Sequence, residues 1–125
     1  MRHPSVSAVL TPLMATGLVA HCGVLDLEVL FSARGHADLI ATRRRLRVGF
    51  HLIQMLQADF DRAIDVMELL AKAGKHRSAS LPDLLLAAVA ERAGLTLVHY
   101  DADFDHIAGV TNQLTQWVVP AGSVP

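Results

Sequence analysis

Apolar positions along this chain recur at two different periods. Spacings of three and four residues predict helices over Ser5 to Ala15, Val24 to Arg34, Ala58 to Ala73, Leu81 to Ala93 and Phe104 to Val110. In the first of these Val6, Val9, Leu10, Leu13 and Met14 share one side, although Pro12 interrupts the second half. Gly17, Gly35, Gly74 and Gly94 stand where these segments should stop. His36 to Arg47 continues in helical spacing but is polar and rich in arginine. Between the helices, the short apolar runs Leu18 to Cys22, Phe50 to Met55, Leu95 to Tyr100 and Gln116 to Val119 predict strands. Helices alternating with short strands imply an α/β class with a mainly parallel sheet.

Composition narrows this picture. The chain has 125 residues, enough for one domain with a true core and too few for two ordinary ones. Hydrophobic residues make up 52% but aromatics only 5%, so the core is built from Leu, Val, Ala and Ile, which suits helices on a parallel sheet better than an all-β sandwich. Twelve Asp and Glu balance eleven Lys and Arg, so any contact with a polyanion must be local. The single cysteine, Cys22, excludes an internal disulfide and a cysteine zinc cluster. No uninterrupted apolar stretch reaches the roughly 20 residues of a membrane span. Pro4 and Pro12 argue against reading the N-terminus as a signal peptide, and the expected location is the cytoplasm with no membrane partner.

The acids carry the candidate chemistry. Leu95 to Tyr100 is nearly all apolar, as an interior parallel strand should be, and Asp101 follows its carboxyl end, where such sheets gather ligands. A single glycine joins this strand to the helix before it, so the two run antiparallel. Asp83 to Gly94 rises about 16 Å as helix, and Leu95 to Asp101 extends about 20 Å as strand. Asp83 and Asp101 should therefore share one edge of the sheet. Glu28 falls by helical phase between Val24, Leu25, Phe31 and Ser32, in the apolar arc of its helix, where an unpaired carboxylate would be costly. Three converging acids favour a hard, oxygen-preferring cation, Mg²⁺ or Mn²⁺, over zinc. Structural roles compete for each. Ser80 to Asp83 has capping-box spacing, Asp101 could cap the next helix, and Glu28 could contact Arg34. Asp26 reads as solvated, and Asp103 ranks above Asp105 as an accessory acid. The seven histidines show no paired metal spacing, and Cys22 and Trp117 read as packing residues.

These residues also carry a family resemblance. Leu27-Glu-Val29 with Ser32-Ala-Arg34, then Leu81-Pro-Asp-Leu-Leu-Leu-Ala-Ala88, then Gly94-Leu-Thr-Leu-Val-His-Tyr-Asp-Ala-Asp-Phe-Asp-His-Ile107, resemble successive blocks of the VapC-type PIN domain. Gln116-Trp-Val-Val-Pro120 is similar to the closing strand of one branch. The resemblance implies a PIN-like three-layer α/β/α sandwich and a Mg²⁺- or Mn²⁺-dependent endoribonuclease toxin. It also implies homodimers and pairing with a VapB-type antitoxin. By position, Glu28, Asp83 and Asp101 would be the catalytic metal ligands, with Asp103 as an accessory ligand. Lys75 and Arg77 approach the acidic edge and are the candidate RNA contacts. Arg43-Arg-Arg-Leu-Arg47 reads as a solvated helix face.

One departure matters. Members of that family begin with a central strand ending in Asp, and here only Met1-Arg-His-Pro4 precedes the first predicted helix, so no residue matches that acid. The expectation is an N-terminally truncated PIN fold with its neighbouring strands unpaired, poorly folded unless something fills the slot, and with little nuclease activity until the strand and its Asp are restored. The alternative is an inactive remnant that only binds an antitoxin-like partner. A phospho-acceptor receiver domain is disfavoured, because the only lysines, Lys72 and Lys75, do not follow a strand.

Overall fold

In a computed structural model, the structure describes residues 13–15, 18–99, 102–113 and 115–117, with side chains over 20–96 and 104–113. Its elements are β1 (Leu13–Ala15), β2 (Leu18–His21), α1 (Gly23–Phe31), α2 (His36–Gly49), β3 (His51–Leu52), α3 (Gln57–Lys72), α4 (Leu81–Ala93), β4 (Thr96–His99), α5 (Ala102–Thr111) and β5 (Thr115–Trp117).

The strands form one sheet in the order β3-β2-β1-β4-β5. β2 pairs parallel with β3, and β4 parallel with β5. β1 is antiparallel to both β2 and β4, with Leu13 level with Ala20 on one side and Leu97 on the other. Four of the five strands thus point the same way, in agreement with the mainly parallel sheet read from the sequence.

β1 corrects two expectations. Leu13–Ala15 is strand, not the end of a helix; the remainder of the helix predicted over Ser5 to Ala15 lies outside the described residues. Pairing with β2 on one side and β4 on the other outweighs the local helical spacing. The middle of the sheet, expected to leave its neighbours unpaired, is occupied by β1. A strand there satisfies backbone groups of β2 and β4 on both sides, which would otherwise lose their hydrogen bonds inside the fold.

α4 is the central helix. Leu84, Leu86, Ala87, Ala88, Val89 and Ala90 are all buried, which is almost every side of it, and a helix apolar all round belongs in a core. Its bounds follow from local chemistry. Ser80 Oγ accepts the Asp83 N–H at 3.3 Å, and Pro82 sits in the first turn. Gly94 ends the helix at φ +69°, a left-handed conformation that costs a side-chain-bearing residue about 1 kcal/mol or more, while Leu95 N–H returns to Ala90 O at 2.9 Å.

α3 packs against α4 with the stripe Asp59, Ala63, Val66 and Leu70 inward. Phe60 and Ile64, on the apolar side by sequence, remain 44% and 62% exposed. Two ion pairs tie the helices together. Arg92 Nε donates to Asp59 Oδ1 at 2.7 Å, and Arg62 Nε to Glu91 Oε1 at 2.7 Å. The fully buried Leu70, Val89, Phe104 and Ile107 join the same core.

Candidate functional site

Because β1 is antiparallel to both neighbours, β2 and β4 end at the same edge of the sheet. α4 returns antiparallel into β4 through Gly94 and Leu95, so its first turn, with Asp83, lies toward that edge. α1 leaves the end of β2 toward the same side and packs against α4. Glu28 and Asp83 are therefore carried by two packed helices that both belong to the carboxyl edge.

Asp83 is buried, at 5% exposure, although its backbone N–H is already used by the Ser80 cap. The cap read from the Ser80 to Asp83 spacing is present, and Asp83, which makes a further interaction of its own, is held inside the fold. Glu28 is half-buried in the middle of α1. The phase argument that placed it needs revision, because of its four flanking markers only Leu25 is buried, Val24 is half-buried, and Phe31 and Ser32 are exposed. Asp101 lies outside the described residues, as does the side chain of Asp103 in the first turn of α5. Among the described residues, no group of three or more His, Cys, Asp or Glu is arranged to hold a metal ion.

Lys75 and Arg77 are exposed on residues 73–80, immediately before α4. Lys75 N–H bonds Leu70 O at 2.7 Å, and Ser78 N–H bonds Lys75 O at 2.9 Å, so the loop is tied to the end of α3 and folded on itself.

The structure adds a constellation the sequence reading missed. Asp26, read as solvated, accepts from His21 Nδ1 at 2.8 and 3.0 Å, and His21 is only 5% exposed at the end of β2. The His21 ring meets Phe50 edge to face, with centroids 6.3 Å apart. The available signal was a histidine ending a strand five residues before an acid in the first turn of the next helix. Between them, Cys22 is fully buried, and burial pushes its thiol up against the opposing effect of the Leu25 and Val24 N–H groups. It is a packing residue, as expected.

Beside this pair runs a groove of about 910 Å³ between α1, α2, β3 and α3, with Arg43 and Arg47 on one wall and Leu27, Leu52 and Phe60 on the others. A smaller apolar hollow of about 240 Å³ lies between α3 and the start of α4, lined by Phe60, Ile64, Met67, Leu81 and Leu84 among others. No described helix is long and apolar enough to cross a membrane.

Comparison with known proteins gives a consistent result. A family model for the PIN domain matches residues 5–110. The chain is 41% identical over 120 residues to Ribonuclease VapC21 of Mycobacterium tuberculosis, covering 96% of this chain and 87% of that protein. It is 42% identical over 127 residues to Ribonuclease VapC51 of the same organism, covering 99% and 89%. It is 47% identical over 103 residues to Ribonuclease VapC2, covering 80% and 72%.

Proposed function

The chain belongs to the PIN-domain family, in its VapC-type ribonuclease branch, and from that premise we propose that it hydrolyses RNA phosphodiesters at an acidic Mg²⁺ or Mn²⁺ site formed by Glu28, Asp83 and Asp101, with Asp103 as an accessory ligand. The observation that carries this reading is Asp83, a carboxylate buried at the start of the central helix, at the sheet edge where parallel strands present ligands. An all-oxygen donor set at that edge fits a hard divalent cation.

Such a cation supplies a polarised water and offsets charge on the phosphate. The chain's own residues do the rest. Ser80 and Gly94 fix the two ends of α4 and hence the position of Asp83. The α1–α4 contact joins the two helices that carry Glu28 and Asp83. Lys75 and Arg77 offer exposed cations to flanking phosphates.

The proposed partners are RNA as substrate, a second copy of the chain, and a VapB-type antitoxin. The apolar hollow at Ile64, Met67 and Leu81 supports a protein partner, since Ile64 and Leu81 are 62% and 65% exposed.

A second reading, a partner-binding protein with an inactive site, is favoured by one feature: β1, in the middle of the sheet, carries no Asp or Glu. RNA cleavage in Mg²⁺ separates the two, using this chain and a version extended by an apolar strand ending in Asp. Faster cleavage by the extended chain supports a site that works best with a fourth acid. Equal, Mg²⁺-dependent cleavage shows that three acids suffice, and no cleavage by either supports the partner-binding reading.

A further inference from the structure

α2 is an unusual helix for a chain of net charge −1. It buries only Leu46, and it exposes Arg43, Arg44, Arg45 and Arg47. Its one acid, Asp38, is engaged by Arg34 through the backbone N–H at 3.0 Å and a 3.9 Å ion pair. Among the described residues none of the four arginines reaches a carboxylate; Arg45 donates to Thr42 Oγ1 at 3.0 Å. Arg43 and Arg47, one turn apart, face the same side, an arrangement of like charges that weakens a helix rather than supporting it.

Both line the 910 Å³ groove. The nearest acid in that groove, Asp26, has both carboxylate oxygens on His21 Nδ1. The other walls include Leu27, Leu52 and Phe60, which are 72%, 59% and 44% exposed. The groove thus offers two guanidiniums without a carboxylate partner along one side and an apolar surface with an aromatic ring along the other. A single RNA strand has the complementary pattern, with phosphates on one side and unstacked bases on the other.

We propose that this groove is a binding channel for single-stranded RNA, in which Arg43 and Arg47 hold consecutive phosphates and Phe60 supports a base. The inference deepens the ribonuclease reading and rests on it for the identity of the polyanion. It assigns substrate positioning to an arginine cluster that the sequence alone marks as a solvated face.

The test measures binding of a fluorescein-labelled single-stranded oligoribonucleotide by anisotropy in EDTA, so that cleavage plays no part. Releasing counterions from two phosphates contributes about 25-fold in affinity at 0.1 M salt, and about 1.4 in the slope of log affinity against log salt. The double variant Arg43→Gln/Arg47→Gln should lose both. Phe60→Ala should lose about fivefold or more with the slope unchanged, and Arg34→Gln should bind as the parent does. Circular dichroism confirms that each variant is folded; the four side chains are exposed.

Parent-like affinity and slope in the double variant overturn the proposal. So does competition by a polyglutamate peptide as effective as competition by unlabelled RNA, which would mark a groove for acidic protein segments. Asp83→Asn keeps the two readings apart, since it should bind RNA normally while removing cleavage. If Asp83→Asn alone fails its expectation, the acidic site falls and the channel stands; if the arginine variant alone fails, the reverse holds.

Discussion

Replacing Arg92 by Met should destabilise the protein more than replacing its partner Asp59 by Asn, and should reverse the local pH dependence. Asp59 is 1% exposed and accepts from Arg92 Nε at 2.7 Å, Arg92 Nη2 at 3.0 Å and Leu56 N–H at 2.8 Å. Burial alone would raise its carboxyl, but the Arg92 and Leu56 hydrogen bonds outweigh burial and hold it below the ordinary carboxylate value. A depressed folded pKa contributes stability that is present above the unfolded pKa, near 3.8, and is lost as pH falls through the lower folded value. Arg92→Met keeps the aliphatic stem and leaves Asp59 buried with only the Leu56 N–H, a loss of about 3 to 5 kcal/mol near pH 7. Burial then dominates, the folded pKa rises above the unfolded one, and the variant becomes relatively more stable as pH falls toward 4. Asp59→Asn retains an acceptor for Leu56 and leaves Arg92, a third exposed and still bonded to Gln54 O at 2.8 Å, able to hydrate. Its cost is smaller, about 1.5 to 3 kcal/mol. Urea melts followed by circular dichroism at pH 7, 5.5 and 4.5 read both effects. An Arg92→Met protein within about 0.5 kcal/mol of the parent at every pH would refute the assignment of this pair as the clamp between α3 and α4.

Three further outcomes follow from local geometry. Ser80→Ala removes the acceptor for the Asp83 N–H and should lower stability by about 1 kcal/mol in a urea melt. Gly94→Ala places a side chain at φ +69° and should cost about 1 to 2 kcal/mol by the same measurement, although no neighbouring atom obstructs the new Cβ. Cys22, fully buried with its thiol pushed up by that burial, should resist Ellman's reagent in the native protein at pH 8 and react fully in urea.

Where the sequence was most informative, several local signals agreed. α4 was predicted and found at the same bounds, because Ser80, Pro82 and Gly94 specify its ends independently of its apolar content. Gly35 does separate α1 from α2, but α1 stops at Phe31, three residues short of the predicted Arg34, and Gly35 precedes α2 in extended backbone. β1 was illegible because Leu13–Ala15 owes its conformation to partners on both sides, β2 next to it and β4 about 80 residues on. The Asp26 contact was missed for a related reason, since helical phase says nothing about a side chain on the preceding strand. On α3 the phase was right but the buried side was shifted: Asp59, Ala63, Val66 and Leu70 face inward, with Arg92 making an acid tolerable there. That Asp83 lies toward the carboxyl edge of the sheet was legible because it depends on chain direction and element length rather than on side-chain detail. The α2 groove was not, because it needs the walls of four elements at once.

The central claim is that Asp83 belongs to a divalent-cation site, and Mn²⁺ titration followed by electron paramagnetic resonance tests it most directly, without depending on turnover. The account predicts saturable binding of Mn²⁺ to the parent chain, competed by Mg²⁺, weakened in Glu28→Gln and abolished in an Asp83→Asn protein that still melts cooperatively. Binding to folded Asp83→Asn with the parent's affinity and stoichiometry would contradict it.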